Sequence, residues 1–186
     1  MHNSIYKPSE DSYLMTNVLK EKLPTLLEKN SRLKLLEMGS GSGIHLQTAL
    51  SSGVIKENIF SSDINKDSVD HCSLLGFNCI QSDLFEKFDE KEKFDLIIFN
   101  PPYLPEDKNE PEDSKLATTG GKKGNEIIIK FLEQAKNFLN SNGKIFIIAS
   151  SLAEKVDFDN LGYNEQEIGC EKLFFETLCI WELSLK

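Results

Sequence analysis

The sequence alternates between short apolar segments typical of strands and amphipathic segments typical of helices. This alternation runs from residue 33 to residue 149, and its fourth strand-like segment, Phe94–Phe99, is apolar enough to be buried on both faces. Alternation of this kind predicts a parallel sheet with helices packed on both sides. The predicted strands span 33–38, 58–63, 77–81, 94–99 and 144–149, and the predicted helices span 44–50, 66–75 and 126–139. Residues 100–124 are predicted to be a loop, and Asn142-Gly143 is expected to end the helix 126–139.

The two ends of the chain depart from this alternation. Residues 1–30 predict a helical segment, because a proline-serine start signal is followed by acidic residues in the first turn. Residues 164–172 and 173–183 predict two strands with no helix between them, and therefore an antiparallel hairpin. The expected fold class is α/β, with a doubly wound, Rossmann-like, seven-stranded and mostly parallel sheet. We expect one domain over 1–186, composed of the helical segment 1–30, a core at 31–150 that carries the sites, and a C-terminal helix and hairpin at 151–186.

Charge and apolar content limit the partners of the chain. Its 186 residues include 21 basic and 30 acidic side chains, which give a formal net charge of −9. A charge of this sign repels phosphate backbones and predicts no direct binding to nucleic acid. The longest apolar run, at 145–149, is far shorter than the roughly 20 residues of a membrane span, and the first residues lack the apolar core of a signal peptide. We therefore expect a cytoplasmic protein with no membrane segment.

Cysteine and histidine are sparse, and their spacing favours no metal site. The four cysteines form no CxxC pair and have apolar neighbours, so we expect buried or half-buried thiols that pack as small hydrophobes. The three histidines are scattered, which leaves little basis for a histidine metal centre or a Ser-His-Asp triad. These residues are Cys72, Cys79, Cys170, Cys179, His2, His45 and His71.

The first predicted strand ends in a glycine-rich run, Glu37–Gly43, with the sequence EMGSGSG. In a sheet of this kind, ligands bind at the carboxyl ends of the strands, and glycines there let the backbone approach a ligand closely. The spacing is GxGxG and not the GxGxxG of dinucleotide-binding proteins. With its preceding acidic residue, it suits a ligand that has an amino acid and a nucleoside but no phosphate. A plain tight turn is the alternative.

Carboxylates follow at the next two strand ends. Asp63 ends the second strand, where a carboxylate can accept hydrogen bonds from both hydroxyls of a ribose. It could instead cap the following helix, a role that Asn65 could fill equally well. Asp83 ends the third strand, where it could accept from an adenine amino group or serve as a turn residue. Suitable groups at three successive strand ends favour a nucleoside site.

The fourth strand is followed directly by Asn100-Pro101-Pro102-Tyr103. The two prolines fix φ and remove two N–H donors, so the turn is rigid and presents carbonyl acceptors. An asparagine oxygen and a proline carbonyl can accept both hydrogens of one planar NH₂ group, and the tyrosine ring offers a face for stacking. The tetrapeptide could be a simple proline turn, but its place at a strand end favours a site that holds a planar nitrogen.

With these motifs the chain resembles the class I S-adenosylmethionine-dependent methyltransferases of the HemK family. Residues 6–14, YKPSEDSYL, are similar to that family's opening motif, and residues 117–124, ATTGGKKG, are similar to its glycine-rich segment. One departure is Ala117-Thr118-Thr119, where the family more often has a bulkier or basic residue. The resemblance covers nearly the whole chain. Because a separate helical N-terminal domain is lacking, the chain resembles the shorter archaeal and eukaryotic branch.

The resemblance implies a function, a cofactor, partners and site residues. Members of that branch use S-adenosylmethionine to methylate the glutamine of the GGQ motif in class 1 translation release factors, and they act with a small zinc-binding activator protein. The residues implied for the acceptor are Asn100, Pro101, Pro102 and Tyr103. The residues implied for the cofactor are Tyr6, Pro8, Glu10, Asp11, Ser12, Glu37, Gly39, Gly41, Gly43, Asp63, Ile64, Ser82, Asp83, Leu84 and Asn100.

The expected reaction is displacement of the sulfonium methyl by an amide nitrogen. No histidine is placed as a general base, so orientation, which can contribute roughly 7–11 kcal/mol, would supply most of the catalysis. Three alternatives stay open. The same tetrapeptide could hold the exocyclic amine of a flipped adenine, the acceptor could be a lysine or a small molecule, or the chain could be a non-catalytic adaptor, although its glycine and NPPY motifs are intact.

The third predicted strand, Phe77–Gln81, is expected at one edge of the sheet. It is short and apolar, and such an edge invites pairing with a strand of another chain. An edge that is simply short and covered by its own loops is an equal alternative on the residues alone. The resemblance favours docking of the activator protein there.

Overall fold

The central strands bury side chains on both faces of the sheet, as the fourth apolar segment predicts. Along the first strand, Leu35 and Leu36 are both fully buried but belong to two different hydrophobic clusters. The first cluster packs the N-terminal helix and the helix after the glycine run against one face. The second cluster packs the helix that begins near residue 126 against the other face. This two-sided burial is typical of a doubly wound sheet.

A computed structural model describes residues 5–186, apart from the side chains of residues 112 and 113. Predictions that involve His2, or the first four residues of the segment 1–30, lie outside the described residues. The strands are β1 (Leu35–Met38), β2 (Ile59–Asp63), β3 (Asn78–Gln81), β4 (Phe94–Phe99), β5 (Leu139–Ser150), β6 (Tyr163–Lys172) and β7 (Thr177–Leu185). The helices are α1 (Glu10–Lys29), α2 (Ile44–Ser51), α3 (Lys66–Leu74), α4 (Glu112–Thr118) and α5 (Glu126–Ala135), with a 3₁₀ turn at Lys56–Asn58.

The strands form one sheet in the order β3-β2-β1-β4-β5-β7-β6. Strands β1 to β5 are parallel, and β7 is antiparallel to both of its neighbours, β5 and β6. The predicted fold class is therefore confirmed, including the terminal hairpin. Strand β3 lies at one edge, as predicted. Within the described residues, no helix is long and apolar enough to cross a membrane.

Two neighbouring element predictions, the helix 126–139 and the strand 144–149, are wrong in their bounds. The predicted helix 126–139 ends at Ala135, and Asn142-Gly143 lies inside β5 instead of after a helix. Leu139 is buried and pairs with Phe94, and the pairing register between β4 and β5 then shifts. A buried apolar residue at that position fits a helix period and a strand start equally well, so the pattern could not separate them.

The long connection and the C-terminal region also differ from the prediction. Residues 100–124, predicted to be a loop, contain α4. Residues 151–186, all of them described, form turns and the hairpin without the predicted helix. The helical segment predicted within residues 1–30 is the single helix α1, which continues through Pro24.

The cysteines divide into two pairs. Cys72 is buried and Cys79 is half-buried, and both are free thiols, as predicted. Cys170 and Cys179 face each other across β6 and β7 and form a disulfide, and Cys170 is exposed. The prediction of four thiols that pack as small hydrophobes is therefore wrong for the second pair, because the hairpin register places these residues directly opposite each other.

Candidate active site

A cavity of about 380 Å³ lies at the carboxyl ends of the strands, where the order reverses between β1 and β4. Its volume is typical of a small-molecule site, and its position is the one at which doubly wound sheets bind ligands. The structure brings most of the predicted site residues to its wall. These are Tyr6, Asp11, Ser12, Glu37, Gly39, Gly41, Asp63, Ile64, Ser82, Asp83, Leu84, Asn100, Pro101 and Pro102.

Four predicted site residues lie outside this lining: Pro8, Glu10, Gly43 and Tyr103. Glu10 is exposed at the start of α1, where it accepts a hydrogen bond from Ser9. Gly43 has a φ of +73°, and a Cβ there would lie 3.2 Å from the sulfur of Cys72 and 3.3 Å from Leu75. The missing side chain of Gly43 therefore lets α2 pack closely against α3.

The glycine run exposes backbone to the cavity. Gly41 has a φ of +47°, and a Cβ built on it would meet no protein atom within 4 Å. Its N–H donates to Asp63 Oδ2 at 2.9 Å. The loop is thus fixed by a carboxylate on the next strand, and the space beside it is open to a ligand.

Asp63 is buried, with 9% of its surface exposed. Its second oxygen, Oδ1, accepts from the N–H of Asn65 at 2.8 Å. Burial raises the pKa of Asp63, and the hydrogen bonds from Gly41, Asn65 and Ser68 oppose that rise. The cap of α3 is Asn65, whose side chain accepts from the N–H of Asp67, so Asp63 does not serve as the cap.

Glu37 forms a buried pair with His45, a residue that the sequence analysis set aside. Glu37 Oε1 lies 2.7 Å from His45 Nδ1, and His45 Nε2 lies 3.1 Å from the carbonyl oxygen of Ser12. Burial raises the pKa of Glu37. Burial alone would lower the pKa of His45, but the interactions of the ring with Glu37 and with the Ser12 carbonyl are stronger, so the pKa of His45 is raised. The other oxygen, Glu37 Oε2, is buried and has no hydrogen-bond partner among the described residues.

The third strand end adds one ion pair and one strained residue. Asp83 lies 2.9 Å from Lys130 of α5, and both line the cavity. Leu84 has a φ of +47°, which non-glycine residues seldom adopt and which is found disproportionately at functional sites. Lys130 was missed, because the sequence gives no signal that brings α5 to this strand end.

Helix α4 contributes Leu116 and Ala117 to the cavity wall. Leu116 is 55% exposed. The segment in which the chain departs from the family pattern therefore lies beside the site. The sequence predicts a loop here, and none of its motifs assigns Leu116 or Ala117 to the site.

The NPPY turn is tied to the N-terminal helix through Asp11. Asn100 Nδ2 donates to Asp11 Oδ2 at 3.0 Å. Since a carboxylate only accepts, this contact fixes which end of the Asn100 side chain is the amine and which is the oxygen. Asn100 Oδ1 is buried and has no hydrogen-bond partner among the described residues. An acceptor oxygen is therefore oriented and left open at the cavity wall.

Two tyrosines complete this network. The hydroxyls of Tyr6 and Tyr103 donate to Asp11 Oδ2 at 3.1 and 3.4 Å. Burial and the nearby Asp11 charge raise the pKa of each tyrosine. Both phenols therefore stay neutral at physiological pH and act as donors that hold Asp11.

Comparisons with known proteins show that the chain is similar to methyltransferases. A family model described as Eco57I restriction-modification methylase matches residues 54–155. A protein of Methanocaldococcus jannaschii, assigned by name as a protein N5-glutamine methyltransferase, is 34% identical over an alignment that covers 98% of this chain and 94% of the relative. The eRF1 methyltransferase catalytic subunit mtq2 of Schizosaccharomyces pombe is 26% identical, with 78% of this chain and 72% of the relative covered.

Solved structures share the fold. The Mtq2-Trm112 complex of E. cuniculi, described as responsible for methylation of the translation termination factor eRF1, matches with a TM-score of 0.70 at 21% identity and covers 98% of this chain and 99% of that chain. A ribosomal protein L11 methylase of Lactobacillus delbrueckii matches with a TM-score of 0.65 at 16% identity, with 98% and 81% covered. The fold, the cavity and the near full-length relative together confirm the resemblance: the chain belongs to the protein N5-glutamine methyltransferase family.

Proposed function

We propose that the chain transfers a methyl group from S-adenosylmethionine to the side-chain amide nitrogen of a protein glutamine. The observation that carries this proposal is the buried, unpartnered oxygen of Asn100, whose amide nitrogen is held by Asp11. An oriented acceptor in a buried position favours a ligand that donates hydrogen bonds. Pro101 lines the same wall and has a carbonyl but no N–H. Together these two residues suit the two hydrogens of a planar amide.

The other side of the cavity fits S-adenosylmethionine. The unpartnered Glu37 Oε2 suits an ammonium group, the Asp63 carboxylate suits ribose hydroxyls, and Asp83 suits an adenine amine. The open space beside Gly41 leaves room for the ligand. When bound, S-adenosylmethionine supplies an electrophilic methyl group. A dinucleotide pyrophosphate would meet three carboxylates here, which disfavours it.

The residues of this chain promote the reaction by orientation and electrostatics. Asn100 and Pro101 hold the glutamine NH₂ in one plane, and orientation can contribute roughly 7–11 kcal/mol. Hydrogen bonds to these oxygens strengthen as positive charge develops on the nitrogen, so they stabilise the transition state more than the ground state. Tyr103, half-buried against both hydrophobic clusters, holds the position of Asp11.

The acceptor we propose is the glutamine of the GGQ motif in a class 1 translation release factor. The names of the S. pombe relative and the E. cuniculi complex, which concern eRF1, support this choice. The test is incubation of the protein with labelled S-adenosylmethionine and the release factor, followed by mass mapping of the modified residue. We expect one methyl group on the GGQ glutamine; label on another residue type would contradict the proposal.

A second candidate function is N6-adenine methylation of nucleic acid. The family model that matches residues 54–155 is described as a restriction-modification methylase, and an NPPY-type turn can hold the amine of a flipped base. The net charge of −9 and the single arginine, Arg32, disfavour binding to a phosphate backbone. Single-stranded and duplex oligonucleotides in the same assay decide between the two. Transfer to DNA or RNA without transfer to the release factor would favour this alternative.

We also propose that a small zinc-binding activator docks at the β3 edge and that the two form a heterodimer in the cytoplasm. Strand β3 pairs with β2 on one side and is an edge strand on the other. Cys79 and Ile80 are half-buried, and Leu74 at the end of α3 is 88% exposed. Phe77 is buried, with Lys56 over its ring, so the apolar surface at this edge comes from Leu74 and Ile80 and not from Phe77.

The substitution Ile80→Lys tests this edge. A charge on an edge strand opposes strand pairing with a partner, so we expect loss of the co-purified activator with no change in S-adenosylmethionine affinity. Gln166→Lys, which places the same charge on the opposite edge strand β6, is the matched control and should leave the complex intact. A complex that survives Ile80→Lys would contradict docking at this edge.

A further inference from the structure

The turn between β6 and β7 carries two exposed aromatic side chains. Phe174 is 92% exposed and Phe175 is 83% exposed, and their rings meet edge to face with centroids 4.6 Å apart. Turns of this kind usually carry small or polar residues. A phenylalanine stabilises a fold by being buried, so these two rings contribute little to the stability of this chain and remain available to a partner.

This turn lies at the end of the sheet that carries the NPPY turn. Thr177, the first residue of β7, is joined to Ser151 at the end of β5 by two hydrogen bonds of 2.9 Å, one in each direction. Glu176 accepts a hydrogen bond from Ser150. Burial raises the pKa of Tyr103, and the charges of Asp11 and Glu176 raise it further, which places the turn within electrostatic reach of the acceptor side of the cavity.

The turn is fixed in position, contains Glu176 and belongs to an acidic chain. Within it, the N–H of Leu173 donates to the carbonyl of Glu176 at 2.7 Å, and the disulfide between Cys170 and Cys179 closes the hairpin behind it. The segment 104–116, which follows the NPPY turn, contains five acidic and two basic residues. A rigid apolar contact on a chain with a formal net charge of −9 suits a protein surface that combines an apolar patch with basic side chains.

We propose that Phe174 and Phe175 form a docking site for the folded acceptor protein, outside the cavity. This inference rests on the proposed function, because its occupant is the release factor whose glutamine enters the cavity. It adds that recognition extends to the folded surface around that glutamine. A short peptide with the same glutamine would reach the cavity without using the two rings.

The test compares Phe174→Ser/Phe175→Ser with Ile55→Ser, a matched control that removes another exposed apolar side chain near the amino ends of the strands. The activator is present in every arm. Binding of the intact release factor is measured by calorimetry, and kcat and KM are measured for the intact factor and for a short GGQ peptide. We expect the double variant to bind the intact factor at least about tenfold more weakly, as loss of aromatic anchors does, with a higher KM. Its kcat, its kinetics on the peptide and its S-adenosylmethionine affinity should match wild type and Ile55→Ser.

Other outcomes separate this inference from the proposed function. If the wild type binds the intact release factor, the double variant binds it more weakly, and neither the factor nor the peptide is methylated, docking is supported and the proposed function is refuted. Equal binding by wild type and double variant would overturn docking even where the glutamine is methylated. A wild type that does not bind the intact factor, or an equal loss on protein and peptide, would overturn it as well. The docking proposal would also be overturned if the wild type formed a dimer of this chain and the only effect of the double substitution were to convert that dimer to a monomer.

Discussion

The two sides of the cavity are constructed differently. On the cofactor side, the Asp63 carboxylate accepts hydrogen bonds from two backbone N–H groups. One belongs to Asn65, just after the same strand, and the other to Gly41, just after the neighbouring strand β1. On the acceptor side, Asn100 is held by the side chain of Asp11, which lies 89 residues earlier in the chain. The sheet itself fixes the first side, whereas the second depends on α1 being docked against it. Because the two sides share little bonding, substitutions should separate cofactor binding from turnover.

The largest expected effect comes from Asn100→Ala. Removal of the open acceptor oxygen should lower kcat at least about 100-fold, the order found when one preorganised transition-state hydrogen bond is lost. Cofactor affinity should change little, since Asn100 stands on the acceptor side. Methyl transfer to the release factor and calorimetric binding of S-adenosylmethionine measure the two effects separately.

Asn109→Ala, an exposed asparagine in the following loop, is the control for Asn100→Ala. It should keep wild-type turnover. If Asn100→Ala also retained wild-type turnover on the methylated protein, Asn100 would have no part in the mechanism, and the contrast between the two sides would lose its main support.

The next effect, on the opposite side, comes from Asp63→Ala. Loss of a hydrogen-bonded carboxylate from a ligand site costs about 1.5–3 kcal/mol, so S-adenosylmethionine affinity should fall by about 10- to 100-fold. At saturating cofactor, kcat should remain close to wild type. Asp70→Ala, which removes an exposed carboxylate of α3, is the control. Unchanged affinity in a variant shown to be folded by circular dichroism would exclude Asp63 from the site.

The same contrast explains what could be predicted from the sequence. The cofactor side lies at successive strand ends, and strand ends are visible as the limits of apolar segments such as Phe94–Phe99, which the structure matches. The network around Asp11 could not be derived in this way, because its partner Asn100 is distant in sequence. The family's opening motif pointed to Asp11, but not to its contact.

His45 and the disulfide had signals that were not used. His45 lies four residues before Ala49 on the predicted helix 44–50, so the two share a helix face, and a histidine buried on that face needs a polar partner. In the hairpin, a two-residue tip at Phe174 and Phe175 sets Cys170 opposite Cys179. The predicted strands 164–172 and 173–183 follow each other directly with no turn between them, so that prediction does not define the register.

The His45–Glu37 pair is the point at which the two sides meet, since it links β1 to the carbonyl of Ser12 in α1. The Ser12 carbonyl accepts, and an ionised Glu37 also accepts, so with that carboxylate each ring nitrogen carries a proton and the ring is an imidazolium. The raised pKa of His45 means that the folded state binds this proton more tightly than the unfolded state. Its contribution to stability is therefore complete below the ordinary histidine pKa of about 6.5 and is lost as pH rises through the raised value.

The smallest expected effect is accordingly a change in pH dependence when the His45–Glu37 pair is removed by Glu37→Gln/His45→Gln. Above pH 6.5, the free energy of unfolding of the wild type should fall with pH by up to about 1.4 kcal/mol per unit more than that of this double variant, in which neither group titrates; this is the limit for one proton. Cys79, whose pKa a hydrogen bond with Cys72 lowers to about 7, contributes a slope of opposite sign in both proteins and cancels in the difference. His45→Gln alone is the second reference, because Glu37 without its imidazolium partner would itself take up a proton and give this variant a falling slope of its own. Urea unfolding between pH 6 and 9 without cofactor measures all three slopes. Equal slopes in wild type and double variant would show that the ring is neutral and that the link between the two sides carries no charge.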